Sequence, residues 1–287
     1  MIIVREFAEL FALNLNLLSA TPSQVKKLGE PRGGVGLVPT MGALHRGHAG
    51  LIELAAQQNE KAVVSIFVNP TQFGPNEDFS RYPRSFDADV SLAASAGAQV
   101  VFAPSVEQMF PGPTSRIEIG QLAERWEGAH RPGHFSGVST VVAKLLNLIR
   151  PDRAYFGWKD LQQCLVIQRL IRDLNFKTAL TFAETYREPD GLAYSSRNVY
   201  LDDSERKVAP QLYQSLMDGK AALSVNSAVF PAKEAAVNAL AQRGFSVDYW
   251  EVVQMDTLEP VKVAAPSCAI ITAARLGRTR LIDNIRL

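Results

Sequence analysis

Cysteine is nearly absent: Cys164 and Cys268 are the only two in 287 residues, far apart and outside any CxxC spacing. That excludes a disulfide framework and a thiolate zinc cluster, and it fits a reducing cytoplasm. Neither sign of charge is in excess, with 30 Lys and Arg against 29 Asp and Glu. A nucleic-acid footprint or an acidic tail would need an imbalance. No apolar run approaches the roughly 20 residues that cross a bilayer. The N-terminal stretch MIIVREFAELFALNLNLLSA puts Arg5 and Glu6 before an apolar run that Asn14 and Asn16 break, and charge returns at Lys26. It reads as a strand-like start and an amphipathic helix rather than a targeting segment.

What is present is alternation. Short apolar runs lead into helical patterns: GVGLVP (34–39) before 48–59, AVVSIFV (62–68) before 85–96, then AQVVFAP (98–104). The helical GVSTVVAKLLNLI (137–149) follows, then RAYFG (153–157) before 160–174 and KTALTFAE (177–184). Alternating β and α predicts a parallel sheet flanked by helices, with strands apolar on both faces. After the Pro189-Asp190-Gly191 turn the pattern changes. Asp202 and Asp203 can cap a helix running to about Lys220, and a second helix is expected over 231–243. DYWEVVQ (248–254) and CAIITAARL (268–276) read as strands. The expected fold is a Rossmann-like α/β domain over 1–185, followed by a smaller α+β domain over 186–287.

Histidine is scarce, with four in the chain, yet His45 and His48 stand three apart in TMGALHRGHAGL. Zinc is one reading, but the HExxH pattern with its general-base Glu is missing, and Arg46 adds positive charge beside a would-be cation. A buried hydrogen-bonded pair is the second. The third is phosphate binding. The pair follows a buried strand, opens a helix, and lies among Gly42, Gly47 and Gly50, where an open α/β sheet binds ligands and a helix N-terminus attracts anions. No Walker A loop is present. The HxGH pattern resembles the nucleotidyltransferase superfamily that includes class I aminoacyl-tRNA synthetases. YSSRN (194–198) is placed for that superfamily's second, phosphate-gripping loop.

Longer blocks narrow the resemblance. VPTMGALHRGH (38–48), SIFVNPTQFGPNEDFSRYPR (65–84), EGAHRPGHFSGVSTVVAKLLN (127–147), RPDRAYFGWKDLQQ (150–163), REPDGLAYSSRNVYL (187–201) and LIDNIRL (281–287) together resemble the pantothenate synthetase (pantoate–β-alanine ligase) family. The blocks run in order along nearly the whole chain. The resemblance implies ATP-dependent joining of pantoate to β-alanine through a pantoyl adenylate, with ATP and Mg²⁺ required. A homodimer and a cytoplasmic location are expected on the same ground.

Carried over by motif, His45 and His48 face the phosphates, and Lys159 in GWKD contacts the α-phosphate as a point charge. The resemblance makes these three the catalytic residues. Met41, Gly47, Gly157, Asp160 (at the ribose), Tyr194, Ser195, Ser196 and Arg197 complete the ATP set. From the residues alone, Lys159 is a solvated surface lysine or, because Gly157 ends the strand before it, a ligand-facing one. Gln72, Gln163 and Asn69 match the pantoate-binding amides. Phe67, Val141 and Val142, with Pro39 and Met41, either pack the gem-dimethyl group or are plain core. Contacts to β-alanine stay unassigned. Asp89 in SFDADV matches an acidic position linked to Mg²⁺; a helix-face carboxylate is the alternative. Arg131 is a candidate anion contact; His130 and His134 flank it, and their role is open between ordering the loop and meeting a ligand.

The chain departs from the family pattern at Tyr194, where Met is usual, and at Trp158, where Glu or Gln is usual. The segment before Gly36 is longer than typical. A nucleotidyltransferase acting on a phosphorylated substrate would share HxGH and the Ser-Arg loop, but would not need the two glutamines. A non-catalytic nucleotide-binding protein on the same fold would be free to lose Lys159 or a histidine, and none is lost here.

Overall fold

The structure is a computed structural model that describes residues 1–13, 15, 34–75, 77–113, 115–223 and 227–287. It divides into two compact units, Met1–Gly157 with Gln163–Ala183, and Trp158–Gln162 with Glu184–Leu287. The segment Trp158–Gln162 thus belongs to the second unit, which a single cut in the chain does not reproduce. Most of the segment before Gly36 lies outside the described residues.

In the first unit, β1 (Ile2–Val4), α1 (Phe7–Ala12), β2 (Val35–Thr40), α2 (Arg46–Gln58), β3 (Lys61–Ile66), α3 (Phe86–Ser95) and β4 (Val100–Phe102) follow one another. The short helices α4 (Val106–Met109) and α5 (Glu127–His130) lead to α6 (His134–Ile149), β5 (Arg153–Gly157), α7 (Leu161–Asp173) and β6 (Ala179–Ala183). The strands form one sheet in the order β1-β4-β3-β2-β5-β6, and every pair in it is parallel. This is the Rossmann-like order, with β1 added at an edge. Val35, Leu37, Val38, Val63 and Val64 are fully buried, as strands covered on both faces require. On one face Ile52 and Ala55 of α2 and Ala93 of α3 pack against Val38, Val64 and Val101.

The sheet is not equally joined along β2. Its pairing with β3 runs from Val35↔Lys61 to Thr40↔Ile66, but its pairing with β5 stops after Gly36↔Arg153 and Leu37↔Ala154. Pro39 explains the difference. The Val35 carbonyl accepts from Asp152 N, so Val35 faces β5, and alternation puts Leu37 and Pro39 on the same side. Proline has no N–H, so the ladder toward β5 cannot continue through residue 39. On the other side the Thr40 carbonyl accepts from Phe67 N and the pairing with β3 is complete. The sheet therefore opens beside the C-terminal end of its central strand, at the point where strand order reverses and such sheets bind ligands.

In the second unit α8 (Asp203–Val208), α9 (Gln211–Ala222) and α10 (Val229–Gln242) precede an antiparallel sheet of β7 (Phe245–Gln254), β8 (Cys268–Leu276) and β9 (Thr279–Arg286). The single helix expected from Asp202 to Lys220 is broken in two. Asp202 does cap its start, accepting from Ser204 N and Glu205 N, while Glu205 returns a bond to Asp202 N. Pro210 then stands at the start of the second helix, where its missing N–H costs nothing. RTRLIDNIRL, given no element from the sequence, supplies β9. Leu212 and Leu216 of α9 and Leu240 of α10 pack with Trp250 and Ile270 of the sheet, and Gly219 leaves room for the indole: a Cβ there would lie 2.4 Å from Trp250 Cζ2.

In the first unit α6 passes close to the Pro70–Gln72 turn at Gly137, where a Cβ would lie 2.3 Å from the Thr71 carbonyl oxygen. Backbone cannot swing aside as a side chain can, so Gly137→Ala should destabilise the protein by about 3 kcal/mol. Gly112→Ala, with open space at its Cβ, should change stability by less than about 0.5 kcal/mol. Urea unfolding of the two variants checks the difference.

Candidate active site

The turn from β2 into α2 is built by reciprocal caps. His45 is the N-cap of α2, and its Nδ1 accepts from Gly47 N at 3.2 Å. His48 Nδ1 accepts in return from His45 N at 3.3 Å, the two histidines filling the places Ser and Glu take in an ordinary capping box. The rings lie 4.1 Å apart. A ring nitrogen that accepts carries no proton, so each histidine holds its proton on Nε2, where it is a donor. Two imidazole donors thus sit at the start of a 13-residue helix whose first-turn amides and dipole favour negative charge. Arg46 is turned to a different task, pairing with Glu53 seven residues on.

Asp89 fixes the turn. Its carboxylate is 3% exposed and accepts from Ala43 N at 2.9 Å, Leu44 N at 2.8 Å and Ser85 Oγ at 3.1 Å. Ala43 has a φ of 49°, a conformation that few non-glycine residues adopt. Gly42, with a φ of 81°, lets the carboxylate approach, since a Cβ there would meet Asp89 Oδ2 at 2.9 Å. The sequence offered Asp89 as a metal-linked acid or a plain helix-face carboxylate. Neither reading anticipated two backbone amides from a turn more than forty residues earlier.

Beyond β3 the 3₁₀ turn Pro70–Gln72 carries a second group of polar side chains. Asn69 caps it, accepting from Thr71 N and donating to Gln72 Oε1 at 3.0 Å and to the Gly137 carbonyl at 3.1 Å. Gln72 Nε2 lies 3.1 Å from Met41 Sδ. Met41, assigned with the nucleotide by motif, therefore meets an amide of the pantoate set. Phe67, Val141 and Val142 are buried, and Gln163 lies half-buried on α7.

Behind Gln72 stands a network the sequence did not resolve. Arg131 binds both oxygens of Glu77, so its charge is matched within the protein rather than kept for an anionic ligand. His134 Nδ1 donates to the Gln72 carbonyl at 2.8 Å, leaving Nε2 to accept from Arg131 Nη1 at 3.1 Å. Burial first, and then the Arg131 guanidinium, pull the His134 pKa down to about 4, against the Gln72 hydrogen bond and the carboxylates of Glu77 and Glu127. The reading of His134 as a residue that orders the loop agrees with these bonds.

In the second unit Lys159 lies in the 3₁₀ turn Trp158–Asp160. Its side chain is 19% exposed and its Nζ lies 3.6 Å from Asp160 Oδ1, which weakens the solvated-surface reading. Gly157, the last residue of β5 in the first unit, has open space where a Cβ would stand. Ser195 caps the 3₁₀ turn Ser196–Tyr200, its Oγ accepting from Arg197 N. Tyr194 N donates to the Tyr186 carbonyl, and Asn198 Nδ2 donates to the Ala193 carbonyl, so the Ser-Ser-Arg segment is tied at both ends. Among the described residues no three His, Cys, Asp or Glu side chains are grouped as a metal cage, and no helix is long and apolar enough to cross a membrane.

Comparison with known proteins bears on the fold and the family. A sequence model described as Pantoate-beta-alanine ligase matches residues 15–286. Pantothenate synthetase of Thermus thermophilus is 49% identical over 260 residues, covering 90% of this chain and 94% of that protein. Pantothenate synthetase of Rhizorhabdus wittichii is 47% identical over 274 residues, covering 95% and 96%. A solved structure of the Thermus thermophilus pantothenate synthetase matches with a TM-score of 0.88 at 46% identity, covering 100% of this chain and 99% of that one. The pantoate-beta-alanine ligase of Francisella tularensis, complexed with beta-gamma ATP and beta-alanine, matches with a TM-score of 0.81 at 35% identity, covering 100% and 97%.

The His134 ring carries a pH signature. An unfolded histidine titrates near 6.5 and the folded ring near 4, so the unfolded chain takes up the proton first as pH falls. The neutral ring's contribution is complete above about pH 6.5 and is lost toward pH 4, by roughly 3 kcal/mol at about 1.4 kcal/mol per pKa unit. His134→Gln should therefore destabilise the protein at about pH 7.5 and much less at about pH 5. Urea midpoints at the two pH values measure this; an equal gap at both would refute the assignment.

Proposed function

Since this chain belongs to the pantoate–β-alanine ligase family, we propose that its two sets of polar side chains divide the work of making an acyl adenylate and then an amide. The enzyme is a carbon–nitrogen ligase that uses ATP. The pantoate carboxylate attacks the α-phosphorus of ATP and displaces pyrophosphate. The amine of β-alanine then attacks the acyl carbon, loses a proton, and expels AMP. The observation that carries the residue assignment is the His45–His48 double cap, which presents Nε2 donors at a helix N-terminus.

Negative charge accumulates on the phosphate oxygens in the first step, so fixed donors there lower the barrier. His45 and His48 supply two, with the α2 amides around Gly47 beside them. Lys159 adds a point charge at the α-phosphate. Ser195, Ser196 and Arg197 bind the β- and γ-phosphates, Asp160 accepts from the ribose, and Tyr194 meets the adenine; Gly157 leaves the nucleotide room. Asn69, Gln72 and Gln163 hold pantoate. An amide suits that task because it orients the carboxylate without pairing with it as tightly as a cation would. Phe67, Val141 and Val142 serve the apolar part of pantoate. A homodimer in the cytoplasm completes the proposal, on family resemblance.

Mg²⁺ is proposed to enter with ATP, held by phosphates and water, as Mg²⁺ commonly is. Asp89 is a poor inner ligand, because both its oxygens are already engaged by three protein donors and the residue is 3% exposed. Its role is to hold the β2–α2 turn. Asp89→Asn should lower the adenylation rate about tenfold or more, yet leave the Mg²⁺ concentration for half-maximal rate within about twofold. A large rise in that concentration would return Asp89 to the metal.

The decisive assay supplies ATP, Mg²⁺, pantoate and β-alanine and follows AMP and amide. AMP formation should require both pantoate and β-alanine. Formation that needs pantoate but never β-alanine would leave adenylation alone, and none without a different acceptor would refute the ligase. His48→Ala and Lys159→Ala should each slow pyrophosphate release by about 10²–10³ while the protein stays folded.

A further inference from the structure

Asp283 and Asn284 of β9 have no part in the assignments above, yet they are adjacent buried polar residues in the middle of the strand. The Asn284 amide has two donor hydrogens, and both are used. Nδ2 donates to the Trp158 carbonyl at 2.8 Å and to the Lys159 carbonyl at 2.9 Å. A 3₁₀ turn of three residues has little hydrogen bonding of its own, so these two bonds fix where the Lys159 side chain starts.

The strand offering this amide is itself anchored. Asp283 takes a bidentate pair from Arg187, with Nη1 at 2.6 Å and Nη2 at 2.9 Å, and accepts from Asn284 N at 2.8 Å. The guanidinium lies 3.7 Å from the centre of the Tyr213 ring and also donates to the Gly191 carbonyl. Arg187 bridges to Ala193, and that short antiparallel bridge leads directly into Tyr194–Arg197. Two adjacent residues of β9 therefore tie down both segments of the second unit that the functional reading sends to the phosphates.

We infer that Asn284 is a positioning residue for adenylation, acting through Lys159 by holding the Trp158 and Lys159 carbonyls. The inference rests on the ligase reading. A lysine that must meet one phosphate oxygen loses much of its value if its backbone shifts by an ångström, which costs about 10² in rate. Asn284→Ala removes both donors. Asn284→Asp keeps the shape but sets a carboxylate against two carbonyl oxygens.

The test is a double-mutant cycle on pantoate-dependent pyrophosphate release in single turnover, without β-alanine, using the full chain. Asn284→Ala should slow release by about 10–100-fold, with the pantoate KM within about twofold of normal. In a Lys159→Ala background the same change should cost less than about twofold, because the group it serves is gone. Circular dichroism and thermal unfolding identify a variant that keeps its fold; Asn284→Asp replaces Asn284→Ala if only the former does. Equal losses in both backgrounds, no loss in either, or unfolding of both variants would overturn the inference and leave Asn284 a residue of stability alone. Failure of the unaltered enzyme to release pyrophosphate with pantoate would instead overturn the ligase reading.

Discussion

A missing hydrogen bond at Pro39 sets the layout of the first unit. β2 is the central strand, and a proline there would ordinarily argue against a strand at all. It is tolerated because its absent N–H faces β5 and interrupts only that ladder, while the other edge pairs fully with β3. The opening that results lies next to the chain's transition into α2. Everything the turn then does, from the Gly42 approach to the histidine caps, takes place at a gap in the sheet and not against its closed surface.

A gap of this kind needs to be held in shape from its sides, and buried polar groups do that. Asp89 grips the turn from α3, Asn69 ties the Pro70–Gln72 turn to α6, and His134 fixes the Gln72 carbonyl. Each is nearly excluded from water and each is satisfied, the condition under which buried polar networks rigidify rather than weaken a fold. The second unit repeats the arrangement with different groups, Arg187 and Asp283 serving the loop and Asn284 the lysine turn. In both units the groups assigned to substrate are supported by others that lie outside the assignment.

Much of this was legible in the sequence, and the parts that were not share a cause. Periodicity and turn residues located β2, β3, α6 and α7 closely, because those signals are local. The helix expected from Asp202 to about Lys220 is interrupted at Pro210, a local stop that reading from its N-cap alone passes over. HxGH marked the capped turn that opens α2, since helix caps depend on neighbours three residues apart. Arg131 was read as available for an anion because nothing nearby announced that Glu77, 54 residues earlier, would bind it. Asn284 reaches across 126 residues to the Trp158 carbonyl, and no spacing rule marks such a pair. The side chains proposed to meet substrate carry motif signals, whereas those that hold them in place depend on tertiary contacts.

The histidine tautomers decide more than the shape of a cap. With Nδ1 of both rings accepting from backbone amides and the proton on Nε2, neither ring offers a lone pair without giving something up. A transition metal ion would have to break a helix cap to reach Nδ1 or expel a proton to reach Nε2. A phosphate oxygen needs neither. The same two hydrogen bonds that start α2 therefore discriminate by charge sign, admitting anions to a histidine pair whose spacing alone would have invited a cation.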